Sequence, residues 1–194
     1  DTYDEIFLPL HGKHQAANAA SALVAVEAFF GDQPLDIEAV RAGFAAVTSP
    51  GRCEVVHRDP TVILDAAHNP HGAKALAQTL KSEFNFDEIV AVVGVFGDKD
   101  ALGILQELGP IVDHVIVTQS SSSRAMSSSD LEKLATSVFG NDRVFEVKDL
   151  HTALDRAVGD ATRPLSEDTV GIIVTGSVVT VGEARTYLRK KFAK

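Results

Sequence analysis

The chain has 194 residues, of which 45% are hydrophobic and 23% are charged, as is typical of a water-soluble globular protein. This length allows one full domain plus a remainder, at roughly 150 residues per domain. Cys53 is the only cysteine, so an internal disulfide is excluded and a reducing compartment is expected. No apolar run approaches about 18 residues and no signal peptide is visible, so we expect a cytoplasmic protein that does not enter a membrane.

Acidic residues outnumber basic ones along the whole chain, but not evenly. The 27 Asp and Glu against 18 Lys and Arg leave a net charge of −9, so neither nucleic acid nor a membrane surface is expected as a partner. Residues 1–50 contain seven acidic and two basic residues, for a charge of −5, and the rest of the chain carries −4. The chain also begins without methionine, which suggests a processed chain or part of a longer one.

The first fifty residues predict two helices. The short apolar stretch Ile6–Leu8 predicts a strand end or an extended segment before them. The alanine-rich residues 15–30 predict a helix that is closely packed on at least one face and is stopped by Gly31. Asp36 is a good N-cap for the second helix, and the turn at residues 48–51 is the best candidate for a domain boundary.

Beyond this turn, apolar runs alternate with helical segments. The runs are Val62–Leu64, Ile89–Val95, Val112–Val117, Val144–Val147 and Val170–Val174. The helical segments are Ala73–Glu83, Ala101–Leu108, Asp130–Phe139, Thr152–Ala161 and Val179–Phe192. Several runs are too continuous for a half-exposed sheet and favour parallel strands covered on both faces. The alternation predicts an α/β fold with a doubly wound, mostly parallel, Rossmann-like sheet, in which ligands bind beyond the carboxyl ends of the strands.

The usual signatures of nucleotide binding and of a nucleophilic serine are absent. The sequence contains no G-x-G-x-x-G after a strand, no G-x-x-x-x-G-K-[ST] and no G-x-S-x-G. The chain therefore lacks the usual means of binding a triphosphate by itself. The serines at 120–123 and 127–129 predict a solvent-exposed loop, with Ser129 or Asp130 capping the helix that follows.

The first long apolar run ends in a group of polar side chains. Asp65 could accept ribose hydroxyls or orient a neighbour, and His68 and Asn69 could bind a substrate carboxylate beside a helix N-terminus. The alternative is that Asp65 and Asn69 only cap this helix. A third interpretation is a metal site formed by Asp65, His68 and His71, although Pro70 interrupts the regular helix that would align them.

Three further segments contain candidate binding groups. Arg52 has a planar fork that suits a phosphate or carboxylate across a cleft, although a surface ion pair is the commoner role of an arginine. Lys99 could reach an anion, while Asp98 or Asp100 caps the next helix. The small residues 175–177 allow a ligand to approach backbone N–H groups closely, and tight packing would explain them equally well.

The first predicted helix begins with polar residues that are unusual in an otherwise apolar segment. Gln15 and Asn18 are three residues apart and would share one face of the helix. Their amides could read the donor and acceptor edge of adenine, or they could be buried with satisfied hydrogen bonds.

Together these segments resemble the folylpolyglutamate synthase branch of the Mur ligase family. The shared motifs are G-x-H-Q-x-x-N-A at 12–19, P-G-R at 50–52, D-x-A-H-N-P at 65–70, an approximate G-x-x-x-D-K-D at 94–100, S-R-A at 123–125, and G-S followed by V-G-E at 176–183. D-x-A-H-N-P is the most specific of them, and their order and spacing span nearly the whole chain.

The resemblance implies an architecture and an activity. Members have a central ATPase domain with a P-loop and a C-terminal α/β domain, and they form an amide through an acyl phosphate made with ATP. Residues 1–48 would be the last helices of the ATPase domain and residues 51–194 the C-terminal domain. The P-loop, the residues that bind Mg²⁺ and the folate pocket are not in this sequence, so the chain is expected to be inactive alone.

The resemblance also implies site residues. Asn18, Arg52 and Asp65 would bind ATP, and His68 and Ser177 would bind L-glutamate, with folate as the second substrate and no catalytic residue assigned. Dihydrofolate synthase activity is the alternative within the family. A non-catalytic α/β module that binds an amino acid or nucleotide is the alternative outside it, followed by a metal-dependent hydrolase.

Overall fold

A six-stranded sheet forms the centre of the fold, in a computed structural model that describes residues 2–31, 33–162 and 169–193. The strands are β1 (Glu54–Arg58), β2 (Thr61–Leu64), β3 (Glu88–Val93), β4 (His114–Gln119), β5 (Val144–Asp149) and β6 (Val170–Thr175). Their order across the sheet is β1-β2-β6-β3-β4-β5. All neighbouring strands are parallel except β1, which pairs antiparallel with β2.

Helices connect the strands and precede the sheet. Within the described residues they are α1 (Lys13–Phe29), α2 (Ile37–Ala45), α3 (Pro70–Glu83), α4 (Ala101–Leu108), α5 (Ser128–Phe139), α6 (Leu150–Ala161) and α7 (Val178–Phe192), with a 3₁₀ turn at Asn141–Arg143. The two domains predicted from the sequence extend to positions 1 and 194, which lie outside the described residues.

The sheet is covered on both faces, as the continuous apolar strands predict. One buried cluster contains Ile63 of β2 with side chains of α3, α4 and α5. The other contains Val62 and Leu64, the neighbours of Ile63 on β2, with side chains of α6 and α7. Successive strand residues therefore point into different cores, which is the reason that the run is uninterrupted. The predicted doubly wound α/β fold is confirmed.

The structure adds one strand that the sequence analysis did not predict. Strand β1 lies at the sheet edge, its residues are half-buried or exposed, and its register with β2 is irregular between Val55 and His57. A half-exposed edge strand needs no continuous apolar run, so β1 lacks the signal that identified the other five strands.

Several helix ends differ from the predicted ones because of their caps. Asn69 accepts a hydrogen bond from the N–H of Gly72, so α3 begins at Pro70. Ser127 accepts from the N–H of Asp130 over 3.2 Å, so the prediction that Ser129 or Asp130 caps α5 is wrong. Asp36 caps α2 as predicted, and Asp100 caps α4, which decides between the two alternatives Asp98 and Asp100.

The serine-rich segment is only partly the exposed loop that was predicted. Ser120 and Ser128 are buried. Ser128 donates to Glu146 over 2.6 Å, and the backbone N–H of Ser121 donates to the carboxylate of Glu183 in α7. These serines therefore connect the β4–α5 segment to neighbouring elements.

Helices α1 and α2 are packed less closely than the helices that cover the sheet. Gln15 is the only residue of α1 that is buried in the described part of the chain, although the sequence predicts a closely packed apolar face. That prediction is wrong for the described residues: Val24 and Phe29 are 63% and 83% exposed. Ile6–Leu8 belongs to no strand. None of the described helices combines the length and apolar character required to cross a membrane.

Candidate functional site

The carboxyl ends of β2, β6 and β3 lie side by side and support most of the predicted site residues. Helix α3 leaves β2 toward one face of the sheet, and α7 leaves β6 toward the other. Where neighbouring connections leave toward opposite faces in this way, a crevice opens at the carboxyl ends of the strands. This is the place where α/β proteins bind ligands. The N–H of Gly176 donates to the carbonyl of Ala67 over 3.0 Å and connects the two loops.

Asp65 is a buried carboxylate at the end of β2. Its Oδ1 accepts from the N–H of Ala67 and its Oδ2 from the N–H of Cys53, each over 2.8 Å. Burial raises the pKa of Asp65, against these two hydrogen bonds and the positive charges of Arg52 and His14, which lower it. Asp65 does not cap α3, so that alternative holds only for Asn69.

Arg52 is exposed on a turn whose backbone is closely determined. Gly51 has a φ of +70°, and a Cβ at this position would lie 2.9 Å from Cγ1 of Val181. Its carbonyl accepts from the N–H of Ala66 over 2.8 Å. Cys53 also has a positive φ, of 48°, which a non-glycine residue adopts only where its surroundings require it. Arg52 lines a groove of about 370 Å³ that is formed by residues 9–11, 45–50 and 52–55.

The thiol of Cys53 is structural. It is 2% exposed, and burial, with the nearby negative charges of Asp65 and Glu83, raises its pKa to about 12. A thiol with this pKa is protonated at neutral pH and is a poor nucleophile, so Cys53 carries no chemistry in the site.

His68 is half-buried in the loop between β2 and α3. Its Nδ1 lies 3.0 Å from the carbonyl oxygen of Ala66. A carbonyl only accepts, so Nδ1 carries the hydrogen and donates it. In the neutral ring Nε2 then has a lone pair, and in the imidazolium it is a second donor. The neighbouring Asn69 uses its amide oxygen to cap α3.

Ser177 is buried and is the N-cap of α7. Its hydroxyl accepts from the N–H of Thr180 over 3.0 Å and donates to Oγ1 of the same residue over 2.8 Å. Thr180 in turn donates to the carbonyl of Gly94 over 3.0 Å. This chain of hydrogen bonds fixes the N-terminus of α7 against the end of β3. Gly182 and Glu183 lie within α7.

Asn18 and Gln15 share one face of α1, as their spacing predicts. The side-chain amide of Asn18 donates to Oε1 of Gln15 over 3.1 Å. Gln15 is 8% exposed and is the buried member of the pair. The N-terminal end of α1 contacts the sheet domain, because the N–H of Gly12 donates to Glu83 at the C-terminal end of α3 over 2.8 Å.

The loop after β3 is packed against the S-R-A segment. Arg124 lies over the ring of Phe96 at 4.7 Å and donates to Asp98 over 3.0 Å. Lys99 pairs with the other oxygen of Asp98 at 3.2 Å. The two cations and their hydrogen bonds hold the pKa of Asp98 below its ordinary value. A Cβ on Gly103 would lie 2.6 Å from Pro70, so this loop leads into a helix that directly contacts α3.

The metal site proposed from Asp65, His68 and His71 is not formed. Asp65 is bonded to two backbone amides, and His68 is bonded to a carbonyl through Nδ1. Across the described ranges, no three His, Cys, Asp or Glu residues are grouped so that they could hold a metal ion. The interpretation as a metal-dependent hydrolase therefore has no support from this part of the chain.

The structure thus brings four of the five predicted residues to one region. Arg52 and Asp65 are linked through Cys53, and the loops of His68 and Ser177 are linked by the bond from Gly176. Asn18 belongs to α1, outside the sheet domain.

Comparisons with known proteins agree with this arrangement. Residues 51–178 match the family model of the Mur ligase glutamate ligase domain. The dihydrofolate synthase/folylpolyglutamate synthase of Mycobacterium tuberculosis is 51% identical over 195 aligned positions, which cover 95% of this chain but 40% of that protein. The chain therefore spans about 40% of the length of this relative.

Two solved structures have the same fold over nearly the whole chain. Folylpolyglutamate synthase of M. tuberculosis, complexed with ADP and AMPPCP, is 54% identical with a TM-score of 0.89, covering 95% of this chain and 42% of that one. The bifunctional enzyme of Yersinia pestis, complexed with AMPPNP and Mn ion, is 31% identical with a TM-score of 0.75, covering 95% and 41%. The resemblance noted in the sequence is confirmed, and the chain belongs to the Mur ligase family through its glutamate ligase domain.

Proposed function

We propose that this chain is the glutamate-binding portion of an ATP-dependent ligase that joins L-glutamate to a folate through an acyl phosphate. The observation that carries the proposal is the linkage of the Arg52 turn to Asp65, next to the loops of His68 and Ser177, which the bond from Gly176 to Ala67 joins. In this proposal the cation for phosphate and the groups that bind the amino acid share the carboxyl ends of β2 and β6. The relatives named for this activity, and the bound nucleotides of the solved structures, support the same function.

In this proposal Asn18, Arg52 and Asp65 bind ATP. The exposed guanidinium of Arg52 stabilises phosphate charge across the groove that it lines. Each oxygen of Asp65 bonds one N–H and has a further lone pair for a ribose hydroxyl. Asn18 uses one N–H toward Gln15, and its amide oxygen and second N–H are suited to the edge of adenine.

The incoming glutamate is proposed to bind between His68 and the start of α7. The hydroxyl of Ser177 already accepts one hydrogen bond and donates another, so its main contribution is to fix the N-terminus of α7. The partial positive charge of that helix end then favours a substrate carboxylate. His68 supplies a ring nitrogen, Nε2, to the same crevice. No general base is assigned.

Residues 1–48 are proposed to belong to the ATPase domain, and residues 51–194 to form the C-terminal domain. The exposed apolar side chains of α1, and a groove of about 410 Å³ between α1 and α2, are the surface that such a domain would bury. The part of the ATPase domain that this sequence does not contain would bind Mg²⁺, which would complete the nucleotide site. A second domain that closes over the crevice would exclude water from the acyl phosphate. We further propose a cytoplasmic location.

Dihydrofolate synthase activity is a second candidate, because the M. tuberculosis relative is named for both activities. Both reactions would use the same glutamate site, since each joins glutamate to a pterin-linked carboxylate.

The proposal is tested by incubating the complete ligase that contains this chain with ATP, L-glutamate and a reduced folate. We expect ADP and a product that is longer by one glutamate, both dependent on glutamate. Dihydropteroate in place of the folate tests the second activity. No product with either acceptor would contradict the proposal.

Calorimetry on the 194-residue chain separates a ligase portion from a self-sufficient binding module. Half of a cleft is expected to bind ATP or glutamate weakly. Submicromolar binding of either molecule by the chain alone would favour the module and count against the ligase.

A further inference from the structure

We infer that Glu54 and Arg185 are positioning residues for Arg52, which they hold in place through the backbone of its turn. This inference depends on the proposed role of Arg52 in binding ATP phosphate. Neither Glu54 nor Arg185 was singled out by the sequence analysis, and neither belongs to the motifs that carry the family resemblance.

Glu54 contacts the turn that carries Arg52. Oε2 of Glu54 accepts from the backbone N–H of Gly51 over 2.9 Å. Gly51 directly precedes Arg52 and has a positive φ that few other residues could adopt. A carboxylate at this N–H therefore selects the conformation from which Arg52 projects.

Arg185 of α7 contacts Glu54 in turn. Nε of Arg185 lies 3.0 Å and 2.9 Å from the two oxygens of Glu54, and Arg189 lies 3.5 Å from Oε1. The side chains of Glu54 and Arg185 are 18% and 27% exposed, so solvent screens this pair only in part. Burial raises the pKa of Glu54, but the bonds from Arg185 and Gly51 outweigh it and the net pKa is lowered. Glu54 is therefore ionised at neutral pH.

The other end of the turn is held by Asp65. The N–H of Cys53, which directly follows Arg52, donates to Asp65 over 2.8 Å. Each residue that flanks Arg52 thus donates its backbone N–H to a buried or partly buried carboxylate. Asp65 belongs to the end of β2, whereas Glu54 is oriented by α7.

Helix α7 connects the Glu54–Arg185 pair to the proposed glutamate site. Its N-terminus is capped by Ser177 in the proposed glutamate crevice, and Arg185 is on the same helix. The position of the nucleotide arginine therefore depends on α7 as well as on β2. Misplacement of a binding group by about 1 Å is enough to lower a rate by as much as 100-fold.

The test is steady-state kinetics of the complete ligase with Glu54→Gln, Arg185→Met and Arg185→Lys. We expect the first two to lower kcat/KM for ATP about tenfold while the KM for the folate is unchanged. Arg185→Lys retains the charge but loses the contact with both oxygens, and an intermediate loss is expected. Thermal unfolding confirms that each assayed variant is folded.

A double-mutant cycle distinguishes positioning from a general loss of structure. In an Arg52→Ala background, Glu54→Gln should cause no further loss of kcat/KM for ATP, because its effect passes through Arg52. Equal losses with and without Arg52, or unchanged ATP kinetics in Glu54→Gln, would overturn the inference. Asp155→Asn is the matched control, because Asp155 accepts from Tyr187 and Lys191 of α7 away from the turn. This variant should retain normal ATP kinetics.

Failure of this inference can be distinguished from failure of the proposed function. Unchanged ATP kinetics in Arg52→Ala alone would refute the role of Arg52 itself. A loss in Arg52→Ala without any loss in Glu54→Gln or Arg185→Met would refute only the positioning role.

Discussion

The backbone N–H of Cys53 donates to Oδ2 of Asp65 over 2.8 Å, and this bond connects the P-G-R turn to the end of β2. The two motifs are separated in sequence but form one structural unit. Arg52 is carried by the turn, and His68 follows Asp65 on the adjacent loop. The proposed phosphate-binding and glutamate-binding groups therefore share one buried carboxylate as their common support.

Asp65→Asn should destabilise the fold. The amide has one acceptor oxygen in place of two, so the N–H of Cys53 or Ala67 loses its partner inside the protein. An unsatisfied buried N–H costs about 1–3 kcal/mol, and the free energy of unfolding in urea at pH 7 should fall by that amount. Asp142→Asn, at an exposed position, is the matched control and should be neutral. Equal stability of the Asp65→Asn and Asp142→Asn proteins would contradict the support role.

The stability difference between the wild type and Asp65→Asn should change with pH in one direction. The pKa of Asp65 is raised in the folded protein above its ordinary value of 3.8. Between the unfolded and folded pKa values the folded state binds more protons, so the stability from this group is lost as pH rises. The stability difference between wild type and Asp65→Asn should therefore decrease as pH rises from about 4. An increase over that range would show that the pKa is lowered instead.

Cys53 should be unreactive until the protein unfolds. Its side chain is buried, and its pKa is raised to about 12, so very little thiolate is present at pH 8. A thiol-specific reagent should label it slowly in buffer and rapidly in denaturing urea. Fast labelling of the native protein at the rate of a small free thiol would contradict the buried position.

Gly51→Ala and Gly159→Ala should have opposite effects on stability. At Gly51 the positive φ costs an L-residue about 1–2 kcal/mol, and the new Cβ would lie 2.9 Å from Val181. Gly159 is in α6 with nothing within 4 Å of an added Cβ, so alanine there should stabilise by up to about 1 kcal/mol. Both are measured by urea unfolding. A neutral Gly51→Ala would show that the turn does not require its left-handed conformation.

Ser177→Ala and Ser127→Ala separate a capping role from a role in binding glutamate. Each serine caps a helix, and losing either cap should cost about 0.5–2 kcal/mol of unfolding free energy. Only Ser177 is in the proposed glutamate crevice. In the complete ligase we expect the KM for glutamate to rise in Ser177→Ala and to stay constant in Ser127→Ala. Equal KM values in the two variants would limit Ser177 to capping.

Much of the fold could be predicted because its inner strands are buried on both faces. Continuous apolar runs such as that of β6 stand out in the sequence, and apolar runs, two of them interrupted by polar residues, identified five of the six strands. Strand β1 has no such run, because polar residues such as Glu54 and His57 interrupt it at the sheet edge. The prediction that α1 is closely packed was wrong. The apolar composition of α1 indicates burial, whereas these side chains are exposed in the described chain.

The site could be predicted only at the level of motifs. D-x-A-H-N-P lies at the carboxyl end of a strand, where a ligand site is expected, and this much followed from the order of the elements. The contact of Glu54 with Gly51 could not be predicted, because it depends on backbone angles and on an arginine from a distant helix. A glutamate three residues after a glycine in a turn is the only local signal that could have indicated it.

The proposal that Arg52 binds ATP and His68 binds glutamate is tested most directly by two constants of the complete ligase. These are the KM for glutamate and the kcat/KM for ATP. Losing one charged or ring hydrogen bond should change the affected constant by about tenfold or more. His68→Ala should raise the KM for glutamate and leave ATP unaffected, and Arg52→Ala should lower kcat/KM for ATP. Wild-type constants for both substrates in both variants would contradict the proposed site.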